Sequence, residues 1–379
     1  MEKCFIFNEV QPFYKDLATV KFGSRWGAIN KSGKWVIKPH YQSLGLIYEN
    51  LFICKRNNKE FIIDKDENII IIPFEYDSLA YINKNKRLII AEKKSKFGVI
   101  NFEGEVIIPF DYEFISSESN DYYLMVQKGN YLGCIDMNNE IILPFEFNNI
   151  KLGKDFAIVQ KDRFYGMVDY KGNQIIPYDY ENLVPFSDGK DMYEISLSDN
   201  PTFIAHKKYE SNVVIINQDN KQVCEQEFDD IFELGEGYYQ ARINFKYCAI
   251  DRFGNIKIPL GKFQGVDVFY KLDNGTYVSM AQNEDFQEAL INQDGEILIP
   301  FDAGYKNNGF MYTRGNTILM NKDNKFGVID IDKNVLIPFE YDWLFYDGND
   351  FNGALKNGKY GYIDNLGKPF EIENIKYKR

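Results

Sequence analysis

Histidine is nearly absent from this 379-residue chain, at 2 residues, and tryptophan is scarce, at 3. His40 and His206 lie in unrelated contexts with no paired nucleophile nearby in sequence, which leaves little for general-base catalysis. Cysteine is held to 5. Cys4, Cys54, Cys134, Cys224 and Cys248 are odd in number and scattered, with no CxxC pair, so neither a disulfide framework nor a thiolate metal site is indicated. A reducing compartment fits that usage. Long apolar runs are missing as well: nothing approaches the ~18–20 residues of a membrane span, and the first seven residues lack an apolar stretch of signal-peptide length. These absences predict a soluble, cytoplasmic protein. Positive charge is in deficit, 44 basic against 56 acidic residues for a net charge of −12, and a chain of that sign gains nothing from counterion release on a phosphate backbone. Nucleic acid is therefore not the expected partner.

What the chain does have is aromatic residues, 31 Phe and 27 Tyr, and they fall into a repeat. One phrase recurs ten times: two apolar residues, an Asp or Asn, a short turn, an apolar triplet, then usually Pro, an acid and an aromatic. The third copy reads Phe97-Gly98-Val99-Ile100-Asn101, Phe102-Glu103-Gly104, Val106-Ile107-Ile108-Pro109, Phe110-Asp111-Tyr112. Anchored on the Asp/Asn, the copies stand at Asn30, Asp64, Asn101, Asp136, Asp169, Asn217, Asp251, Asn292, Asp330 and Asp364. Gly lies three residues before the anchor in six copies (Gly27, Gly98, Gly133, Gly166, Gly327, Gly361) and three after it in six (Gly33, Gly104, Gly172, Gly254, Gly295, Gly367).

Each part of the phrase has a physical reading. Asp or Asn with Gly three positions on marks a tight turn, in which the Asx side chain caps its own backbone and Gly accepts positive φ. The strand before it is apolar on both faces, as in Met167-Val168 and Val328-Ile329, so sheets stack on both sides of it. Gly inside such a strand signals close approach of another group; the expectation is that a Tyr or Phe of a neighbouring repeat covers it. Pro39, Pro73, Pro109, Pro144, Pro177, Pro259, Pro300 and Pro338 follow the anchor by eight or nine residues. Proline cannot donate to a ladder, so its strand should be the outer edge of the unit. Segments such as Leu88-Ile89-Ile90 supply another strand, and Ser78–Ile82 a candidate fourth.

The predicted fold class is all-β, a tandem array of about ten antiparallel units of three or four strands, built as propeller-like blades. One large ring, two five-bladed rings and an open β-solenoid or superhelix all fit the spacing. The longest interval, 48 residues between Asp169 and Asn217, divides the copies into residues 1–186, repeats 1–5, and 187–379, repeats 6–10, as two domains or one continuous array.

The stretch Trp26-Gly27-Ala28-Ile29-Asn30-Lys31-Ser32-Gly33-Lys34-Trp35-Val36-Ile37-Lys38-Pro39 closely resembles the bacterial WG repeat. Lys325-Phe326-Gly327-Val328-Ile329-Asp330 and Lys359-Tyr360-Gly361-Tyr362-Ile363-Asp364 are similar to it with Phe or Tyr for Trp. Copies two, six and eight depart, with Phe61, Val214 and Ala289 where Gly is expected. The resemblance implies a β-repeat architecture and no shared active site.

Candidate chemistry is sparse. Cys134 and Cys248 sit in the buried strand and read as small core hydrophobes. Asp64-Lys65-Asp66-Glu67-Asn68 and Asp330-Ile331-Asp332-Lys333-Asn334 begin like calcium loops, but they occupy the repeat's hairpin turn and lack the Gly and distal bidentate acid such a loop needs. No cofactor or metal is predicted. An acidic column follows the prolines: Glu75 and Asp77, Asp111 and Glu113, Glu146, Asp179 and Glu181, Glu227 and Asp229, Glu340 and Asp342. It alternates with Tyr76, Tyr112, Phe147, Tyr180, Phe228 and Tyr341, which places acids on one side and rings on the other. The column reads either as a solvated face that keeps edge strands apart or as a stripe that docks a basic partner, with Glu75, Asp77, Asp111, Glu113, Asp179, Glu181, Glu340 and Asp342 as its candidate residues. The expected role is a non-enzymatic binding or scaffold protein that holds a protein partner, such as a toxin or an assembly partner. A glycan or small-ligand module, using exposed Tyr and Trp, is the alternative.

Overall fold

The computed structural model describes residues 4–48, 50–56, 59–71, 76–83, 88–116, 122–306, 312–346 and 351–370. Within them every regular element is a β-strand except three short 3-10 turns, Met192–Glu194, Leu197–Asp199 and Phe301–Ala303. A repeat is an antiparallel meander; the third comprises Ser78–Asn83, Leu88–Lys93, Lys96–Asn101 and Val106–Tyr112 in that spatial order. The segment at Ser78 is thus the first of four strands.

Nine sheets carry the ten repeats and make a β-propeller. Eight sheets hold one repeat each. The ninth is six-stranded and holds two, because the strand Gln174–Pro185 closes the fifth repeat with its first half and opens the sixth with its second. Closure comes from the N-terminus: Phe5–Phe7 pairs with Lys359–Asp364 and serves as the outer strand of the tenth repeat. Phe7, Val10 and Phe13 then pack with Tyr362, whose hydroxyl donates to the Gln11 carbonyl at 2.7 Å. The array is a ring, not an open superhelix, and it is one ring, since the fifth and sixth repeats share a sheet.

The core is distributed between repeats. Leu17, Ala28 and Ile37 of the first repeat meet Phe52, Cys54 and Ile63 of the second; Val99 and Ile108 of the third meet Leu124 and Ile135 of the fourth; the pattern continues to Val328 and Ile337 against Ala354 and Ile363. Buried side chains on both faces of the third strand follow from this stacking.

The anchor turn is the same in all ten copies. In the fourth, Asp136 Oδ1 accepts from the backbone N–H of Asn138 at 2.9 Å and of Glu140 at 2.8 Å. The residue three past the anchor has positive φ every time: six glycines, and Glu67, Asn139, Asn220 and Lys333 in the remaining copies. Asp64 and Asp330 are such anchors, their oxygens engaged by Asn68 and Asn334.

The glycine before the anchor has a different cause from the one expected. A β-carbon on Gly98 would meet the Ile108 carbonyl oxygen and the Phe110 ring, and on Gly133 the Phe145 ring and the Leu143 carbonyl. The covering ring therefore belongs to the same repeat's own fourth strand, not to a neighbour. The fourth strand bulges there: Phe97 pairs with Tyr112 and Val99 with Ile108, so Pro109, Phe110 and Asp111 bulge out opposite Gly98 alone. Only the tenth repeat takes its cover from elsewhere, through Cys4 and Phe5. In the sixth to eighth repeats, where a side chain replaces the glycine, the fourth strand is cut short. The seventh and eighth repeats, with Cys248 and Ala289, end their fourth strands after three residues, Ile256–Ile258 and Ile297–Ile299, against seven in Val106–Tyr112. The sixth, with Val214, has only the bridges Ile216–Gln222 and Val213–Phe228.

Pro109, Pro144 and Pro338 lie in edge strands, and Pro177 in the half of Gln174–Pro185 that pairs on one side only. Pro73 lies outside the described residues.

Candidate partner surface at the turn end of the ring

An antiparallel meander puts the turn between its second and third strands at one end, together with the link to the next repeat; we call this the turn end. The acidic column lies at the ends of the fourth strands and on those links. Its rings point inward and are buried: Tyr76, Tyr112, Phe147, Tyr180, Phe228 and Tyr341. Three column tyrosines, and Tyr41 at the end of the first repeat's fourth strand, reach into the next repeat's anchor turn at the residue with positive φ. Tyr41 donates to Glu67 Oε2 at 3.0 Å, Tyr112 to Asn139 Oδ1 and Tyr180 to Asn220 Oδ1 at 2.6 Å, and Tyr341 to the Gly367 carbonyl at 3.0 Å.

The acids point outward, as the alternation requires, and several join two repeats. Asp77 accepts from Lys59 of the second repeat at 2.5 Å and from the backbone N–H of Lys94, in the turn of the third, at 3.0 Å. Glu113 accepts from Lys96 at 2.6 Å and from Gly129 N–H at 3.2 Å. Asp342 pairs with Lys325 and accepts from Asn357 N–H at 3.0 Å. In each case the lysine ammonium, then the N–H, holds the carboxyl below its ordinary range. Glu181 accepts from Tyr209 N–H at 3.2 Å and Asp229 from Phe245 N–H at 3.3 Å. Glu146 and Glu340 pair with Lys161 at 3.1 Å and Lys356 at 2.8 Å. Asp111 and Asp179 are exposed near the ends of the pairing of their fourth strands. Glu75 lies outside the described residues. The column thus follows the second to sixth repeats and the ninth, and five of its acids also cap a turn in the following repeat. That second role has no sequence signal, because lysine, acid and turn are far apart in sequence.

The other candidates fall elsewhere. His40 Nε2 lies 2.9 Å from Glu67 Oε2, and His206 is in the strand Thr202–Lys207 opposite Asn182 and Val213. Cys54 and Cys134 are fully buried, and burial pushes both thiols up to about 12. An open cleft of about 600 Å³ between the first and second repeats is lined by Glu9, Gln11, Tyr14, Trp26 and Ser43. No helix among the described residues is long and apolar enough to cross a membrane.

Six segments of the chain, residues 5–26, 26–59, 97–131, 133–163, 165–195 and 326–360, match the family model of the WG containing repeat. No curated protein sequence matches the chain. Among solved structures it is similar to a eukaryotic initiation factor at 10% identity, over 86% of this chain and 96% of that one, with a TM-score of 0.48. It is also similar to Kluyveromyces lactis Hsv2, at 8% identity over 76% and 98% with a TM-score of 0.33, and to AztD from Citrobacter koseri, at 9% over 86% and 92% with 0.30. The matched segments fall in the first five repeats and the last two, and the chain belongs to the WG-repeat family.

Proposed function

We propose that this protein is a non-enzymatic binding scaffold that holds a basic protein partner against the turn end of its ring. The reading is supported by one observation above all: the fourth-strand ends and the links at the turn end carry outward acids after the second to sixth repeats and the ninth. Asp111 and Asp179, exposed and outside the turn-capping set, are the column residues most available to a partner's cations. Attraction of this kind is screened by salt. Immobilised protein should retain a partner from its source cell at low salt and release it at high salt, and the Asp111→Asn/Asp179→Asn variant should retain less. Retention of nothing at low salt, or equal retention by the variant, overturns the proposal.

A second reading, a glycan or small-ligand module, draws on the cleft between the first two repeats, where Tyr14 and Trp26 stand beside Glu9, Gln11 and Ser43. A glycan array without hits removes it.

A further inference from the structure

Three consecutive turns at the turn end carry large aromatic residues that the fold does not need. Tyr209, Phe245 and Phe286, in the sixth, seventh and eighth repeats, are 83%, 89% and 78% exposed. All three have positive φ, 63°, 63° and 57°. Each thus combines two costs, an aromatic ring held in water and a bulky residue in the left-handed region. The same turn elsewhere in the ring uses cheaper residues for that conformation: Gly23, Ser95, Gly129, Asp162, Asn324 and Gly358 have positive φ in six other repeats. Folding therefore gives no reason for the aromatics. They are also held in place: Glu181 accepts from the Tyr209 N–H and Asp229 from the Phe245 N–H. Tyr209 packs edge-on to Phe164 of the fifth repeat with centroids 6.0 Å apart, and Lys208 lies 4.0 Å above Phe164. This extends the row, and Tyr131 in the fourth repeat, 47% exposed, continues it.

Charge singles out the same sector. The three turns 207–213, 243–246 and 282–288 carry three bases and four acids, and the column acids Asp179 and Glu181, in the shared strand, and Glu227 and Asp229, on the following link, come before the first two. The corresponding seven turns of the other repeats carry thirteen bases and two acids. Phe286 is thus flanked by acids of its own turn, and Tyr209 and Phe245 stand beside the column acids Glu181 and Asp229 that accept from their N–H groups.

We infer that Tyr209, Phe245 and Phe286 form a docking arc for a cationic protein segment with apolar side chains, the rings supplying the anchoring contacts and the flanking carboxylates the orientation. Anionic lipid is a poor match, because Glu284, Asp285 and Glu288 surround Phe286 and repel the headgroups. The inference rests on the scaffold reading and narrows its partner and its face.

The test uses a synthetic amphipathic Leu/Lys peptide as probe, with a Ser/Lys peptide and a Leu/Glu peptide as controls, against the full chain. The Tyr209→Asn/Phe245→Asn/Phe286→Asn variant removes the rings while keeping a residue that tolerates positive φ, so it should fold. Wild type should bind the Leu/Lys peptide and lose roughly tenfold or more in the triple variant. Leu366→Asn, which removes an apolar side chain exposed in an anchor turn at the other end of the sheets, should bind as wild type. Equal binding by the triple variant, equal loss in Leu366→Asn, Ser/Lys or Leu/Glu binding as tight as Leu/Lys, or preference for anionic vesicles over the peptide each overturns the arc. Asp111→Asn/Asp179→Asn separates the two proposals: if that variant binds the peptide normally while the triple variant does not, the column reading fails and the arc stands.

Discussion

The carbonyl oxygen of Ile108 stands 2.7 Å from the point where a β-carbon on Gly98 would lie, with the Phe110 ring 3.1 Å away. Backbone on one side and a packed ring on the other leave no room, so Gly98→Ala should destabilise by about 1–3 kcal/mol through overpacking and loss of the bulge. Gly45→Ala is the control: a β-carbon there meets nothing within 4 Å, and its effect should stay within about 0.5 kcal/mol. Urea unfolding of both variants checks the pair; equal effects would contradict the role given to the bulge.

Lys333 holds φ at 71° in a turn position that six sister repeats fill with glycine. The left-handed region costs a side-chain-bearing residue about 1–2 kcal/mol, and glycine's extra unfolded-state freedom returns about 0.5–1 of it. Lys333→Gly should therefore stabilise by about 0.5–1 kcal/mol, visible as a raised thermal midpoint. Gly104→Val, at φ 84°, should shift it the other way.

Ring closure hangs on a short N-terminal strand, and Phe7 within it is fully buried against the first and last repeats. Truncating it to Ala should cost about 3–5 kcal/mol. Solution scattering should then show expansion as the first and tenth repeats part, whereas a variant as compact and stable as the parent would mean that closure lies elsewhere.

Asp77, Glu113 and Asp342 have carboxyls held low by Lys59, Lys96 and Lys325. A depressed folded value means that the unfolded chain takes up protons first as pH falls. The stability these groups contribute is present above the ordinary carboxylate range and is lost below about pH 4 as pH drops through the folded values. The triple amide variant should be less stable than wild type at pH 7, and the gap should close on acidification. A gap independent of pH would rule out the ion pairs as its source.

The Asp64 and Asp330 carboxylates already accept hydrogen bonds from Asn68 and Asn334. Calcium should leave the thermal midpoint unchanged; a rise that saturates with concentration would restore the metal reading.

Local chemistry made much of this fold readable. The Asx anchor and its turn appear in sequence because the capping group, the capped N–H groups and the positive-φ residue lie within five positions. Pro39, Pro109, Pro144 and Pro338 marked edge strands because a missing donor is a property of one residue, whereas Pro259 and Pro300 lie just past the ends of theirs. The column's alternation placed Tyr112 inside and Asp111 outside because strand geometry has a period of two. The glycine column was legible as a position of close approach, but its partner was not: the bulge at Pro109–Asp111 depends on register between two strands, and register is set by pairing.

The candidate surface divides in the same way. Sequence located the acids, yet the joining of Asp77 to Lys59 and to the Lys94 turn needs two repeats brought side by side. Tyr209, Phe245 and Phe286 fall outside the repeated phrase, so no periodicity marks them. Their exposure and backbone conformation, which the tertiary structure supplies, set them apart.

By itself, then, the sequence determined the unit: ten copies of an antiparallel β-meander with a capped turn and a buried third strand, eight of them carrying the column proline, each dictated by groups a few residues apart. The tertiary structure decided how the units close. Whether ten such meanders make one ring, two rings or a spiral depends on the small rotation between stacked sheets and on which strand completes the last one. Here Phe5–Phe7 completes it from the opposite end of the chain, a contact that spacing alone does not encode.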